Sequence, residues 1–399
     1  MRSNSARSRL VFLALLAISF LGIHIPAQAV EMQNLYQAEV AVADQSSGSR
    51  NDAFKTALAQ VLVKVSGALD IVEAPAAEPI LQKAARYVRQ YRYIEKELDR
   101  ESASESTDPT HLQQQLFLSV EFTGDAIQKA LRAASLPVWS GNRPSTLIWL
   151  AVKEPRNRFI VGDDTEASVK QAVLDAAGLR GVPLIFPIMD LEDSRRVAFA
   201  DISGGFTDTL LSASERYNAQ IVVAGYMEIN RQGLWTAKWT VLRDNVSSSW
   251  MDIDVALQQA SVSGMNGVAD ILAARYAFSA DAGGQLVEYV VAVGQVLSID
   301  DYATILNHLS GLVLTEDVTP VRVESSYVYF RVLMRGSLQE LERALALMPE
   351  LKRVESGSAP LPVIASQKQV QVVPEGESPA VQILSVRDRA DLNFSFLSR

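Results

Sequence analysis

Carboxylates and glycines follow one apolar segment of the chain and form its best candidate for a ligand site. The segment Pro183–Met189 predicts a buried strand, and ligands of open α/β sheets bind beyond the carboxyl ends of strands. Glycines in such a loop let the backbone approach a ligand closely. The candidate residues for binding a small ligand or a cation are Asp190, Asp193, Asp201, Gly204 and Gly205. The alternative is an ordinary acidic loop between a strand and a helix, since position in a fold does not establish function.

The residue types that most other catalytic chemistry needs are absent or far apart. The chain has no cysteine and three histidines, of which His24 precedes the predicted mature chain and His111 and His308 are distant in sequence. A zinc site and a Cys-His dyad are therefore not expected. No Gly-Lys dipeptide, H-E-x-x-H or G-x-S-x-G motif occurs. We predict no metal, no cofactor and no enzyme activity; a glycosidase-type carboxylate pair stays open, because its spacing is visible only in three dimensions.

The first 29 residues predict a secretory signal peptide. The apolar run Leu10–Ile25 is followed by the small-x-small sequence Ala27-Gln28-Ala29, which predicts cleavage between Ala29 and Val30. Three basic residues precede the run: Arg2, Arg7 and Arg9. An uncleaved membrane anchor is the alternative, but the run would span only about 24 Å of a hydrocarbon core of about 30 Å. The prediction is a bacterial periplasmic protein with no integral membrane span after cleavage.

The charge and the cysteine content restrict the partners and the source of stability. The chain carries a net charge of −9, and cleavage would leave 34 basic and 46 acidic residues, a net charge of −12. An acidic surface is a poor general binder of nucleic acid, so no nucleic-acid partner is expected. Without disulfides, stability has to come from packed cores.

The order of apolar patterns divides the mature chain into three units and a tail. Residues 30–139 predict an N-terminal α+β domain with the order β-α-α-β-β-α, and residues 144–282 a central α/β domain with a mixed sheet. Residues 285–355 predict a ferredoxin-like β-α-β-β-α-β domain. Residues 356–399 are rich in polar residues and proline, and we expect a mostly disordered tail with a frayed end at Phe394 and Phe396. The alternative is that these two residues add a strand to the edge of a sheet. The fold class is thus a multi-domain α+β and α/β protein.

Local signals place several elements of the first unit. Ser49 is the predicted N-cap of a long helix that ends at Gly67. A second helix is predicted over Glu78–Gln90, followed by two strands on either side of a polar loop at Glu101–Thr110. The sequence Ser140–Pro144 is predicted to be a linker between units, because serine, glycine, asparagine and proline favour loops.

The later units show equally local signals. In the central domain, the apolar run Thr146–Val152 predicts a strand buried on both faces. A hairpin is predicted around the turn Asn230–Gly233, with a strand before it from Ile221 and an alternating strand after it from Trp235. In the third domain, two helices begin with predicted capping boxes, one at Ser298 with Asp301 and one at Ser337 with Glu340.

Several segments together resemble a proteobacterial envelope family known as domain of unknown function number two thousand sixty-six. The segments occur in this order: Tyr36–Val42, Val61–Gly67, Gln90–Tyr93, Leu136–Trp139, Arg143–Val152, Arg180–Asp193 and Ala213–Tyr226. The resemblance covers about residues 30–280. It implies export from the cytoplasm, and it implies neither an activity nor catalytic residues.

These features favour a scaffold or adaptor role among proteins of the cell envelope. The signal peptide, the several small domains with sheet edges and the lack of a nucleophile or metal ligands all point to this role. Two alternatives remain: binding of a small ligand or cation at the Asp190 crevice, and peptidoglycan binding by residues 285–355. The oligomeric state is not predicted.

Overall fold

The computed structural model describes residues 30–31, 34–97, 114–139, 141–243, 246–279, 286–324, 326–348, 350–354 and 390–397. The protein is a mixed α/β protein with several sheets. The predicted signal peptide, the polar loop Glu101–Thr110 and most of the predicted tail lie outside the described residues. No described helix has the length and apolar character that a membrane span requires.

The first unit packs one long helix against a three-stranded antiparallel sheet. The strands are β2 (Gln37–Ala41), β3 (Val88–Glu97) and β4 (Gln114–Phe122), with β4 in the centre. Helix α1 (Ser47–Ser66) buries an apolar stripe that includes Leu58 and Leu62. Helix α3 (Gly124–Ala133) buries Ile127 and Leu131 in the same core.

Two predictions for this unit need correction, and one is confirmed. The N-cap of α1 is Ser46, whose side chain accepts a hydrogen bond from the Ser49 backbone; the chain offers several serines here, and only geometry selects one. Gly67 ends the helix with a φ of 72°, as predicted. The predicted helix Glu78–Gln90 is wrong, because α2 covers only Glu78–Leu81 and β3 already starts at Val88.

The central unit is built on a six-stranded mixed sheet. Its strands are β7 (Thr146–Lys153), β8 (Arg158–Val161), β9 (Leu184–Ile185), β10 (Ile221–Ile229), β11 (Trp235–Arg243) and β12 (Val246–Val255). The order is β12-β11-β10-β7-β8, and β9 also pairs with β7. Strand β7 runs parallel to β10 and β9 and is fully buried over its first seven residues. The predicted β10–β11 hairpin is confirmed, whereas β8 has no counterpart in the prediction.

Helices cover both faces of the central sheet. Helices α4 (Ser168–Arg180) and α8 (Leu257–Tyr276) pack together on one face. Three short helices lie on the other face: α5 (Leu191–Arg196), α6 (Phe199–Gly204) and α7 (Thr207–Ser214). Helix α8 lies directly on Trp239 and Trp250, because a Cβ at Gly264 or Gly267 would lie within 2.4 Å of their rings. These two glycines therefore set how closely the helix approaches the sheet.

The predicted strand Pro183–Met189 is wrong in length, since β9 contains only two residues. Pro183 and Pro187 have no backbone N–H to donate to a neighbouring strand. Met189 has a φ of 58°, which turns the chain out of an extended path directly before Asp190. The candidate site thus begins at a bend and not at the end of a long strand.

The third unit has a five-stranded sheet in the order β15-β16-β14-β18-β17. Its strands are β14 (Leu286–Gly294), β15 (Thr315–Glu324), β16 (Tyr327–Arg335), β17 (Leu351–Arg353) and β18 (Leu392–Phe396), and its helices are α9 (Ile299–Ser310) and α10 (Leu338–Ala346). Both predicted capping boxes are confirmed. The prediction of a frayed end is wrong: β18 lies between β14 and β17, with Leu392, Phe394 and Phe396 buried in the core.

The predicted linker Ser140–Pro144 is also wrong, because Arg143 is completely buried at the junction of the first two units. Asn142 and Arg143 form the short strand β6, which pairs with β1 (Val30–Glu31). Just before it, β5 (Pro137–Trp139) pairs with β13 (Ala277–Ser279), which follows α8. Composition suggested a loop, but neighbours from both units enclose this segment.

Candidate functional site

Asp190 is positioned by the bend at Met189 and caps helix α5. Its Oδ1 accepts hydrogen bonds from the backbone N–H groups of Glu192 and Asp193, both at 3.0 Å. This is the usual role of an aspartate at an N-cap, where a side-chain oxygen satisfies backbone donors of the first turn. The cap therefore occupies one of the two oxygens through which Asp190 would hold a ligand.

Arg216 occupies the rest of the Asp190 carboxylate. It comes from the 3₁₀ turn Glu215–Tyr217 that follows α7. Its two terminal nitrogens donate to Oδ1 and Oδ2 of Asp190 at 2.8 and 2.9 Å, a bidentate pairing of guanidinium and carboxylate. Asp190 thus links helix α5 to the turn that leads into β10.

Asp193 is the buried centre of the same cluster. Its side chain is completely buried, and its Oδ1 accepts a hydrogen bond from Arg216 at 3.0 Å. Its Oδ2 accepts from the Met189 backbone at 3.0 Å and from the Tyr217 hydroxyl. The Tyr217 oxygen in turn accepts from the Ile188 backbone at 2.8 Å. Each oxygen of Asp193 is therefore engaged by groups of the protein itself.

The electrostatics of the cluster follow from these contacts. The hydrogen bond from Arg216 holds the pKa of Asp190 well below its usual range, and the same pairing raises the pKa of Arg216. Burial, with the hydrogen bond to Asp193, raises the pKa of the Tyr217 hydroxyl. At neutral pH the cluster thus holds ionised Asp190, cationic Arg216 and neutral Tyr217. An ionised carboxylate of lowered pKa is a weak base, and a neutral tyrosine of raised pKa is a poor proton donor.

The structure places the other candidate residues on the next helix, in separate local roles. The Asp201 side chain accepts from the Ala198 backbone at 2.7 Å, at the start of α6. Gly205 ends that helix with a φ of 74°, and Gly204 packs beside the Phe206 ring. Asp190 and Asp193 are brought together through Arg216, whereas Asp201, Gly204 and Gly205 shape the two ends of α6.

A concave region of about 590 Å³ adjoins this part of the fold, but other residues line it. Asp163, Asp164, Glu166 and Lys170 contribute its charged groups, where β8 leads into α4. The backbone of Asp163 donates to Pro187 at 2.8 Å, so this wall continues into the segment before Asp190. Within the described ranges, no group of three or more His, Cys, Asp or Glu side chains is arranged to hold a metal ion.

The arginines that organise the molecule have no clear signal in the sequence. Arg216 and Tyr217 lie in a polar stretch before β10, and nothing in that stretch indicates a distant aspartate as a partner. The residues around Arg143 are typical of a loop, and Arg180 lies at a helix end, so neither position indicates a buried arginine. An arginine next to apolar strand residues is a weak signal of a buried role, because most arginines are exposed.

Arg143 and Arg180 form the second polar centre, at the junction between the first and central units. The Arg143 guanidinium donates to the carbonyls of Lys64 and Gly181, both at 2.6 Å, and stacks over the Trp139 ring at 3.8 Å. Arg180 donates to the Gly67 carbonyl at 2.9 Å and to the Asp270 carboxylate at 2.7 Å. The two side chains thus connect the end of α1 with α4 and α8.

Comparisons with known proteins give one match and correct the family resemblance. The model of a family described as a domain of unknown function (DUF8605) matches residues 29–140. This is a different domain from number two thousand sixty-six, so the resemblance drawn from the sequence segments is wrong. No curated protein matches the chain; what it is similar to, over residues 29–140, is a domain without an assigned activity.

Proposed function

We propose that this chain is an exported, non-enzymatic scaffold or adaptor of the bacterial cell envelope. The observation that supports it best is the way its units are joined. Arg143 and Arg180 bridge the first and central units through buried carbonyl contacts. Arg132 of the first unit donates to the Val313 carbonyl at 2.8 Å, and Arg343 donates to the Arg275 carbonyl at 3.0 Å. The third unit is thereby attached to both of the others, and such a body can hold separate surfaces at fixed positions.

The state of the carboxylate cluster also favours a structural role. Both carboxylates of the predicted ligand site already bind Arg216. A cation that took these oxygens would have to displace an arginine and leave its charge half-buried. Cation or small-ligand binding at Asp190 is therefore the less favoured candidate function.

The detailed fold proposals follow from the strand orders. We assign the third unit to a ferredoxin-like arrangement in which β18 is inserted between the first and last strands of the β-α-β-β-α-β set. For the first unit we retain the order β-α-α-β-β-α, with a short second helix. The central unit remains an α/β domain with a mixed sheet.

The location is tested by fractionation of cells that produce the full-length chain with a C-terminal tag. A processed form, shorter by the 29 residues before Val30, is expected in the periplasm. Replacement of the apolar residues Leu15 and Leu16 by arginine should keep the chain in the cytoplasm at full length, since it interrupts the apolar run of the leader. Cytosolic, unprocessed wild-type protein would contradict export.

The scaffold role is tested by crosslinking in the periplasm, followed by purification under denaturing conditions. A scaffold is expected to yield at least one envelope protein above the level seen with an unrelated exported bait. Pelleting with purified sacculi in parallel tests the peptidoglycan alternative. Recovery of no partner, or a turnover that one acidic substitution abolishes, would contradict the proposal.

A further inference from the structure

Strand β12 is an open edge of the central sheet. It is ten residues long and pairs with β11 on one side. In the part of the chain that the structure describes, no strand pairs with its other side. Most of its residues are exposed, including the whole stretch Val246–Ser249. An open edge presents unpaired backbone N–H and C=O groups that can bind another strand.

The other outer strands of the larger sheets are protected against such pairing. Strand β15 contains Pro320, two register irregularities and the charged pair Arg322 and Glu324. Strand β3 carries Arg89, Arg92 and Lys96. Strands β8 and β17 have four and three residues, and β2 has five, with Glu39 in its middle. Proline, charge, bulges and short length are the usual means of blocking an edge.

Strand β12 lacks these protections over most of its length. It contains no proline, lysine or arginine, and Val246–Met251 has no charged residue. Its two acidic residues lie near its end and bind within the chain. Asp252 accepts from Ser263 of α8 at 2.9 Å, and Asp254, with a φ of 55°, accepts from Asn230 at 3.0 Å.

The face of β12 away from α8 is apolar as well as open. Met251 and Ile253 lie two residues apart on that face and are 56% and 59% exposed. Met251 pairs with Lys238 of β11, and the Lys238 ammonium lies 3.9 Å from the position of a Cβ on Gly205. The next residue, Phe206, is 57% exposed. The exposed Lys238 therefore separates the edge from Phe206, and the apolar patch on this face of the edge consists of Met251 and Ile253.

We propose that a second copy of this chain occupies the edge, with the two β12 strands antiparallel about a twofold axis at Trp250. An axis perpendicular to the sheet keeps the same face of both copies on the same side, so Met251 and Ile253 of the two copies form one apolar patch. Residues 247, 248 and 249 of one copy then lie opposite residues 253, 252 and 251 of the other. The interface is self-complementary, as twofold dimers require.

The charge distribution favours a second copy as the occupant. The whole chain carries a net charge of −9, so most of its surface repels another copy. The β12 stretch Val246–Met251 is uncharged, and in this register Asp252 faces Ser248 and not another carboxylate. Like charges directly opposite on paired strands are destabilising, and the register avoids them.

Asp252 supplies an independent reason for this register. Its Oδ2 is buried and has no hydrogen-bond partner among the described residues. Ser248 and Asp252 both lie on the α8 face of β12, because they pair with Val241 and Ala237 of β11. Ser248 of the second copy would lie opposite Asp252, and a small rotation of the carboxylate would let its free oxygen accept from that hydroxyl. A partly satisfied buried carboxylate is costly, so this bond would favour the dimer.

The first test is sedimentation of the purified mature chain over a range of concentrations. The wild type is expected to dimerise, and Met251→Lys with Ile253→Lys should weaken the dimer at least about tenfold, which corresponds to about 1.4 kcal/mol. The control is Val323→Lys, on the protected strand β15, where the side chain is 66% exposed; it should leave the dimer unchanged. A monomeric wild type, or a dimer that survives the double substitution, would overturn the proposal.

The second test uses the absence of cysteine from the chain. In the double variant Ser249→Cys, Met251→Cys, the cysteine at position 249 of each copy lies opposite the cysteine at position 251 of the other. Their Cβ atoms would be about 4.5–5.5 Å apart, close to disulfide range. Mild oxidation should give a covalent dimer. In Ser247→Cys, Ser249→Cys, the nearest cysteines of the two copies are diagonal, about 7–8 Å apart, and should crosslink poorly. Equal crosslinking of both variants, or none, would contradict the register. Neither test depends on export or on an envelope partner, so failure here would leave the proposed scaffold role standing.

Discussion

Arg143 and Arg216 organise two polar clusters by opposite means. Arg143 is completely buried and donates to backbone carbonyls from two structural units. Arg216 is 25% exposed and binds the carboxylates of Asp190 and Asp193 within one unit. Burial lowers the pKa of Arg143, whereas the hydrogen bond to Asp190 raises that of Arg216. Arg143 thus holds the junction between the first and central units together, whereas Arg216 forms ion pairs within the central unit.

The different surroundings of Arg143 and Arg216 indicate what stabilises each cluster. A buried cation is stable only if the groups around it are fixed in advance, because desolvation costs several kcal/mol. Arg143 therefore depends on the correct docking of two units. The Arg216 cluster depends on short-range contacts between one loop, one turn and a six-residue helix, and solvent screens part of its charge.

The largest expected effect on stability is at Arg143, in the junction between the first and central units. Replacement of Arg143 by methionine keeps most of the side-chain volume but leaves the carbonyls of Lys64, Gly181 and Trp139 without their donor. We expect a loss of about 3–5 kcal/mol in the free energy of unfolding, because each buried carbonyl left without a donor costs about 1–3 kcal/mol. Denaturant titration followed by tryptophan fluorescence measures it, since Trp139 lies at the same junction. Arg156→Met, at an exposed loop position, should change stability by less than about 0.5 kcal/mol. Similar losses of unfolding free energy for the two variants would show that Arg143 stabilises the protein no more than an exposed arginine does.

The second largest expected effect is at Asp193, the buried carboxylate of the Arg216 cluster. Asp193→Ala deprives the Met189 backbone, the Tyr217 hydroxyl and Arg216 of their acceptor. We expect a loss of about 2–3 kcal/mol in the free energy of unfolding, which is smaller than for Arg143→Met because Arg216 keeps its ion pair with Asp190. Hydrogen exchange should show faster opening of α5 and of the loop before it, with the α1–α4 junction unaffected. Asp164→Ala, an exposed aspartate, is the matched control. Loss of protection at the junction as well would show that the two clusters are coupled.

A third effect concerns pH. The folded state lowers the pKa of Asp190, so this carboxylate contributes stability above its unfolded value of about 4 and loses that contribution as pH falls toward the folded value. The difference in unfolding free energy between wild type and Asp190→Asn should therefore be constant near neutrality and shrink below about pH 4. Parallel denaturant titrations from pH 7 to pH 3 measure it. A difference that does not vary with pH would mean that the ion pair does not stabilise the fold.

The smallest expected effect is on cation and nucleotide binding. Because Arg216 already binds the carboxylates of Asp190 and Asp193, divalent cations and nucleotides should not shift the melting temperature by an amount that depends on Asp190. Wild type and Asp190→Ala are compared over the same titration. A shift present in the wild type and absent in the variant would restore the ligand site that the sequence predicted, and would show that Arg216 is displaceable.

Local rules predicted many of the elements. The helix that stops at Gly67, the β10–β11 hairpin and both capping boxes depend on residues close in sequence, where turn geometry and side-chain periodicity act directly. The same rules misjudged Pro183–Met189, because apolar character alone does not supply the backbone donors that a strand needs. They also misjudged β18, whose order comes from β14 and β17, strands that precede it by about one hundred and about forty residues.

The candidate site shows the same division. The amino-acid sequence alone established that Asp190 and Asp193 follow an apolar segment, that the chain has no cysteine, and that it carries excess negative charge. Tertiary structure decided that Arg216 and Tyr217 occupy those carboxylates and that Arg143 lies inside a junction instead of a linker. The reason is physical: propensity and capping act over a few residues, whereas the partner of a charge is set by which distant backbone and side-chain groups the packed cores bring within hydrogen-bond distance.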